Sequence, residues 1–206
     1  METEQSPLDQ TRIIEAGLSA CARMHFCIAQ ILKYSPPPDP TGRPFALVSH
    51  WEVAEAIEAL CHAQATAFGC LFDDGRRPAW EKPVKKDYRL RRVAMVGEKC
   101  GDLDIPNLRN KGIRNALAHF DERLLDLLID SPGAQTVEHL SWSHRAAVPE
   151  QFVLIGVYFY DIDKLYMFNE VLSLRGLQSE LEQVFGAFGY QVGAPNPEPP
   201  LAYTRQ

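Results

Sequence analysis

Residues 9–34, DQTRIIEAGLSACARMHFCIAQILKY, constrain the fold more than any other stretch of the chain. Ile14, Leu18, Cys21, His25, Ile28 and Leu32 recur at intervals of three and four, and Ile13, Gly17, Ala20, Met24, Cys27 and Ile31 form a second stripe beside the first. At about 3.6 residues per turn the stripes merge into an apolar face wider than one neighbouring helix covers. That is the pattern of a helix held inside a bundle or at a subunit interface. The run SPPPDPTGRP (35–44) ends it, because proline removes a backbone donor and disfavours helical geometry in the residue before it.

The spacing predicts a second helix from Ser49, where Ser49 and Glu52 form a capping box, to about Phe72. Its expected buried stripe is Ala54, Ile57, Cys61, Ala65, Phe68 and Phe72. A third helix is expected from about Val84 to Cys100, closed by Gly101, and a fourth runs without interruption from near Pro106 to Asp130. QFVLIGVYFYDIDKLYMFN (151–169) alternates β-branched and aromatic residues around a polar turn and reads as a β-hairpin. A last helix follows over about 173–188. The expected fold class is therefore mainly α: an antiparallel helical bundle with a small β-hairpin and a final helix. Residues 1–192 form one domain in this reading, 133–169 an insertion, and the Pro-rich tail 193–206 is disordered.

An apolar fraction of 46% over 206 residues excludes a disordered chain. The five cysteines are odd in number and include no Cys-x2-Cys pair, and the start METEQSPLDQ lacks the basic and apolar regions of a signal peptide. FVLIGVYFY is too short to span a membrane. Reduced thiols, a cytoplasmic location and no membrane partner are expected. Cys21 and His25 have the helical spacing of metal ligands, but no third and fourth ligand accompany them, so neither a metal nor another cofactor is predicted. A phosphate-binding glycine loop and a serine nucleophile elbow are both absent.

The chemistry concentrates in IPNLRNKGIRNALAHFDERLLDLL, residues 105–128. On one helix, Ile113, Leu117, Phe120, Leu124, Leu127 and Leu128 share an apolar face that packs the bundle. Asn115 and His119 lie one above the other on the opposite face with Lys111, Glu122 and Asp126, and Arg114 lies to the side. His119 thus belongs to the polar surface. Histidine moves protons near neutral pH, and arginine offers a planar donor fork to phosphate. Asn115 can hold a phosphate or orient the imidazole. A solvated helix face is the bland alternative.

Arg114-Asn115-Ala116-Leu117-Ala118-His119 resembles the Arg-x4–6-His signature of HEPN domains, helical domains of ribonucleases, toxins and antiviral systems. The resemblance is specific over 105–124. It implies a homodimer in which two such segments face one cleft, with Arg114, Asn115 and His119 as the catalytic set of a metal-independent endoribonuclease. It equally allows a non-catalytic module that binds RNA, a nucleotide or a partner protein in a toxin–antitoxin or defence setting.

The formal charge of −6 argues mildly against a polyanionic partner. Its distribution changes that. Residues 76–92 carry eight basic and two acidic side chains, a local +6, which leaves −12 on the rest. Trp80 and Tyr88 are interleaved with the charges, as stacking groups for bases would be. Lys85, Lys86, Arg89 and Arg92, joined by Lys111 of the motif, are the expected RNA-binding residues.

Overall fold

A computed structural model describes residues 7–35, 51–72, 82–138, 140–142 and 144–191. The prolines after Ser35, Ser49 of the capping box, Arg76, Arg77, Trp80, His139 and the tail 193–206 lie outside the described residues.

The two-stripe segment is a 28-residue helix, α1 (Pro7–Tyr34). Both stripes are buried except half-buried Ile13 and Leu32 at their ends, with Cys21, Met24, Ile28 and Ile31 fully so. The second helix, α2 (Trp51–Leu71), runs along it in the opposite sense. Near the start of α1, a Cβ built on Gly17 would stand 2.7 Å from Leu71 and 2.9 Å from Cys70 at the end of α2. Near the end of α1, Cys27 and Gln30 share a groove with Glu52 and Ala56 at the start of α2. Glycine at 17 is what lets the backbones approach. The buried side of α2 is wider than predicted, with Val53, Leu60 and Gln64 buried and Ala65 exposed. It is clasped between α1 and the segment that follows Ile105.

Helix α3 (Pro83–Cys100) starts on a proline, whose missing N–H costs nothing in a first turn. It buries only Arg92, Val96 and Cys100, so its N-terminal half stands in solvent. Gly101 closes it with a right-handed φ of −60° and donates its N–H to the Gly97 carbonyl at 2.8 Å.

The expected fourth helix is three pieces: α4 (Pro106–Arg109), α5 (Gly112–Ala118) and α6 (Phe120–Asp130). Side chains from other elements break it. Gln64 Nε2 donates to the carbonyls of Asn107 and Asn110, at 3.0 and 3.1 Å, and so takes them out of a helical ladder. Asn110 is extended, and its Oδ1 accepts the Gly112 N–H at 2.8 Å. At His119 the backbone turns to φ −118°, ψ 37°, while the N–H groups of His119 and Arg123 keep their bonds to the carbonyls four residues back. That joint is a kink. Beyond it no residue of α6 is buried, and Leu128 is exposed instead of packing the bundle as predicted.

The expected hairpin forms, and further short strands extend it into a small mixed sheet. Strands β1 (Thr136–Glu138) and β2 (Ser141–Trp142) both run parallel to β3 (Val153–Phe159). On its other edge, β3 pairs antiparallel with β4 (Lys164–Met167), which pairs antiparallel with β5 (Glu170–Leu172). The β3–β4 register shifts between Ile155 and Val157, where Gly156 takes φ 66°. The bulge explains the burial pattern: Ile155 and Tyr158 face the helices, whereas Leu154, Val157 and Phe159 pack with Val148 on the other side.

Helix α7 (Leu174–Ala187) closes the core with Leu174, Leu177, Leu181 and Val184. Ser173 caps it by accepting the Gly176 N–H at 2.9 Å, and Asp163 adds a second cap by accepting the Arg175 N–H at 3.1 Å. Asp163 also accepts the Tyr158 hydroxyl at 2.9 Å, which ties the β3–β4 turn to α7. The molecule is mainly helical with this mixed sheet, and one buried cluster runs from Ile14 to Phe185.

The thiols make a pH prediction. Burial, aided by neighbouring thiols, pushes Cys21 and Cys61 up to about 12. Unfolded thiols release their protons near pH 8.5–9, so above that range the unfolded state gains and the folded state does not. Stability is therefore complete below about pH 9 and falls above it, by roughly 1.4 kcal/mol per pH unit for each such thiol. The urea midpoint should drop between pH 8 and pH 10, and drop less in Cys21→Ala. An unchanged midpoint in the parent protein contradicts this.

Candidate functional site

The motif is anchored from below by one carboxylate. Glu180 of α7, 5% exposed, accepts the backbone N–H of Asn107 at 3.0 Å, the Asn107 side-chain amide at 2.7 Å and the Leu108 N–H at 2.7 Å. It thereby satisfies the first donors of α4, which the protein buries. Asn107 Oδ1 accepts the Ser173 N–H at 3.2 Å, and Asn110 Nδ2 donates to the Val171 carbonyl at 3.2 Å. The turn 107–112 is thus fastened to α2, β5 and α7. A Cβ on Gly112 would stand 1.9 Å from the Glu170 carboxylate, so a larger residue there must displace the end of that side chain. Glu170 in turn pairs with Arg123 of α6 at 3.5 Å.

From this base the segment 109–114 sets three cations against two rings, Phe68 of α2 and Phe72 just beyond its end. The Arg114 guanidinium lies 4.3 Å from the Phe68 ring centroid, the Lys111 ammonium 5.1 Å from the same ring, and the Arg109 guanidinium 5.4 Å from the Phe72 ring. Each position suits a cation–π contact. Arg114 Nε is buried without a hydrogen-bond partner among the described residues.

His119 stands at the kink between α5 and α6, its side chain 58% exposed. Its Nδ1 lies 3.0 Å from Glu122 Oε2. An ionised carboxylate only accepts, so Nδ1 carries the proton of this bond and the neutral ring keeps its lone pair on Nε2, free for an outside partner. The imidazole is therefore oriented by Glu122 and not by Asn115, whose part is to accept the His119 N–H through its backbone carbonyl at 3.0 Å. Within one chain no hydrogen bond or ion pair among the described residues joins Arg114 to His119.

The basic stretch divides in two. Lys85 and Lys86 are exposed and Arg89 half-buried on the N-terminal half of α3, beside exposed Val84 and Leu90. Arg92 does not share that surface. It is 9% exposed, and its Nη2 donates to the Gly69 carbonyl at 3.2 Å. The last turn of α2 has no basic residue of its own, so Arg92 supplies the positive charge that the carbonyl end of a helix favours. Its position is structural, which corrects its placement among RNA-contacting side chains.

Sequence reading missed Glu122 as the partner of the histidine, although the three-residue spacing marks it. It also took Phe68 and Phe72 only as core residues. Nothing local signals that they serve as platforms for cations 37 to 46 residues further along the chain. Of the other described histidines, buried His25 lies 3.3 Å from Gln178, His62 lies 4.0 Å from Glu58 and His144 pairs with Asp161 at 3.5 Å. Among the described residues no cluster of three metal-ligating side chains occurs. None of the described helices is long and apolar enough to cross a membrane. Neither a family model, nor a curated protein, nor a solved structure matches the chain.

Proposed function

We propose that the chain is a HEPN-like endoribonuclease that cleaves RNA without a metal, at a composite site shared by two copies. The observation that carries this reading is His119: an exposed imidazole at a helix kink, held by Glu122 with Nε2 outward, five residues after an arginine fixed on an aromatic ring. One such ring removes the proton of a ribose 2′-hydroxyl. The 2′-oxygen then attacks the neighbouring phosphorus, and the 5′-oxygen leaves with a proton from the second ring. The products are a 2′,3′-cyclic phosphate and a 5′-hydroxyl. Arg114 and Lys111 balance the charge that grows on the phosphate, and the exposed lysines of α3 hold the flanking backbone.

One histidine per site is insufficient for both proton transfers, so a second copy is required. The face of α6 that begins at this kink suits it. Leu125, Leu128 and Ile129 are 57%, 56% and 64% exposed, and none of the described residues covers them. A second copy packed there brings a second His119 close to the first. Leu128→Asp is expected to convert the protein to a monomer in sedimentation and to abolish cleavage of single-stranded RNA in chelator, with its helical circular dichroism at low temperature unchanged. A monomeric parent that cleaves equally well overturns the composite site.

A second reading is favoured by the placement of Arg114 on Phe68, with no bond to His119 in the same chain. In it, the cations only bind RNA, a nucleotide or an acidic partner, and nothing is cut. Binding that survives in a protein without cleavage would select it.

A further inference from the structure

Helix α6 leaves the body of the protein at His119, and little of it is held there. None of its residues is buried, and only Phe120 and Leu124 reach the core, each in part. Its 11 residues span about 16 Å. A tilt of about 10° at the kink therefore carries the far end, with exposed Leu128 and Ile129, about 3 Å. Chemistry tolerates far less, since a misplacement of about 1 Å costs about 10²-fold. The angle at His119 is a functional quantity, and a single hairpin touches both sides of it.

That hairpin is β4–β5. Its turn is two residues long, Phe168 and Asn169, between the paired Met167 and Glu170. Phe168 has φ 55°, a conformation that tight turns give to glycine and that strains a bulky residue. Its ring is what a glycine would lack. The ring packs edge-on against Phe120, the first residue of α6, with centroids 5.5 Å apart. One position beyond the turn, Glu170 reaches both helices. Its Oε1 lies 3.5 Å from Arg123 Nη2 in the first turn of α6, and its Oε2 stands where a Cβ on Gly112, the first residue of α5, would go. The hairpin is itself anchored. The Phe168 N–H donates to the Leu154 carbonyl of β3 at 2.7 Å, and the Val171 carbonyl accepts Asn110 Nδ2 at 3.2 Å.

We propose that the β4–β5 hairpin is a clamp that sets the angle between α5 and α6, with Phe168, Glu170 and Arg123 as positioning residues for His119. Their effect on cleavage rests on the ribonuclease reading above, whereas the clamp itself does not. Strain at Phe168 points the same way: backbone held in a sparsely populated conformation persists where the surroundings over-determine it, and here they present one ring to the residue beside His119. The two arms are redundant. A half-buried ion pair is weak by itself, so removing one arm loosens α6 and removing both frees it.

Phe120→Leu removes the ring contact, Glu170→Gln removes the ion pair, and the combined variant removes both. Residual dipolar couplings of the full chain, read at amides 113–118 and 121–130, give the angle between the helices. In the parent both sets should fit one rigid unit. In the combined variant the couplings of 121–130 should shrink against those of 113–118, and each single variant should lie between. Cleavage should follow with a split that a merely structural role would not produce: kcat lower by about tenfold in the combined variant, and KM for RNA within about twofold of the parent. Arg123→Met should resemble Glu170→Gln, and Arg123→Lys, which keeps the charge, should lie closer to the parent. The clamp is overturned if the combined variant has the parent's couplings, and the positioning role is overturned if α6 reorients with kcat unchanged. A parent that cuts no RNA counts against the ribonuclease reading alone, and the couplings then decide the clamp.

Discussion

Glu180→Leu is expected to destabilise the protein by about 3–5 kcal/mol, the largest stability loss from any single side chain near the motif. The carboxylate accepts three N–H groups, two of them backbone donors at the start of α4. Leucine has similar bulk and removes a buried charge, which alone is favourable. It also leaves the Asn107 and Leu108 N–H groups buried with no acceptor, and each such orphan costs about 1–3 kcal/mol. The orphan donors dominate because no water replaces the carboxylate in a site this closed. Against a typical total of about 5–15 kcal/mol, such a loss leaves the chain barely folded. Glu180→Gln should lie between the two, since its amide nitrogen opposes donors that need an acceptor. Urea unfolding measures both, and hydrogen exchange at the Leu108 amide localises the effect. A Glu180→Leu protein within about 1 kcal/mol of the parent would mean that 107–112 is held by something else.

The contrast between α1 and the motif helix shows what the sequence could carry. In α1 the apolar spacing marks the packed face, and both stripes are buried as read apart from half-buried Ile13 and Leu32. Residues 106–130 also have a helical period throughout, yet the helix is interrupted twice. The interruption at 110 comes from Gln64, 46 positions away in sequence, and from Asn110 closing on its own chain. Periodicity records which residues seek burial and says nothing of a distant amide that competes for carbonyls. The same limit applies to the sheet: β3 is apolar and continuous, whereas β1, β2 and β5 have two or three residues each, too few to show a period. At the site, the polar setting of His119 was legible because exposure follows from the face it occupies. The burial of Arg92 was not, because its partner is a bare helix end with no side-chain signature.

His119→Ala carries the largest expected effect on activity. General acid–base groups contribute about 10²- to 10⁴-fold each, and a symmetric site loses both rings in one substitution. The fall should therefore lie at the upper end of that range or beyond it. Stability should hardly change, because the side chain is exposed and its pairing with Glu122 is a surface contact. Glu122→Gln separates positioning from chemistry. The amide can still meet Nδ1 but no longer prefers the tautomer with Nε2 free, so a loss of about tenfold is expected, with a displaced pH profile and unchanged RNA affinity.

The most direct test is the rate at which the purified protein cuts a single-stranded RNA in excess chelator, measured beside His119→Ala with both proteins shown to unfold alike. A parent that releases 2′,3′-cyclic phosphate ends, and a variant slower by about 10³-fold or more, is the predicted result. Equal rates in the two proteins would contradict it.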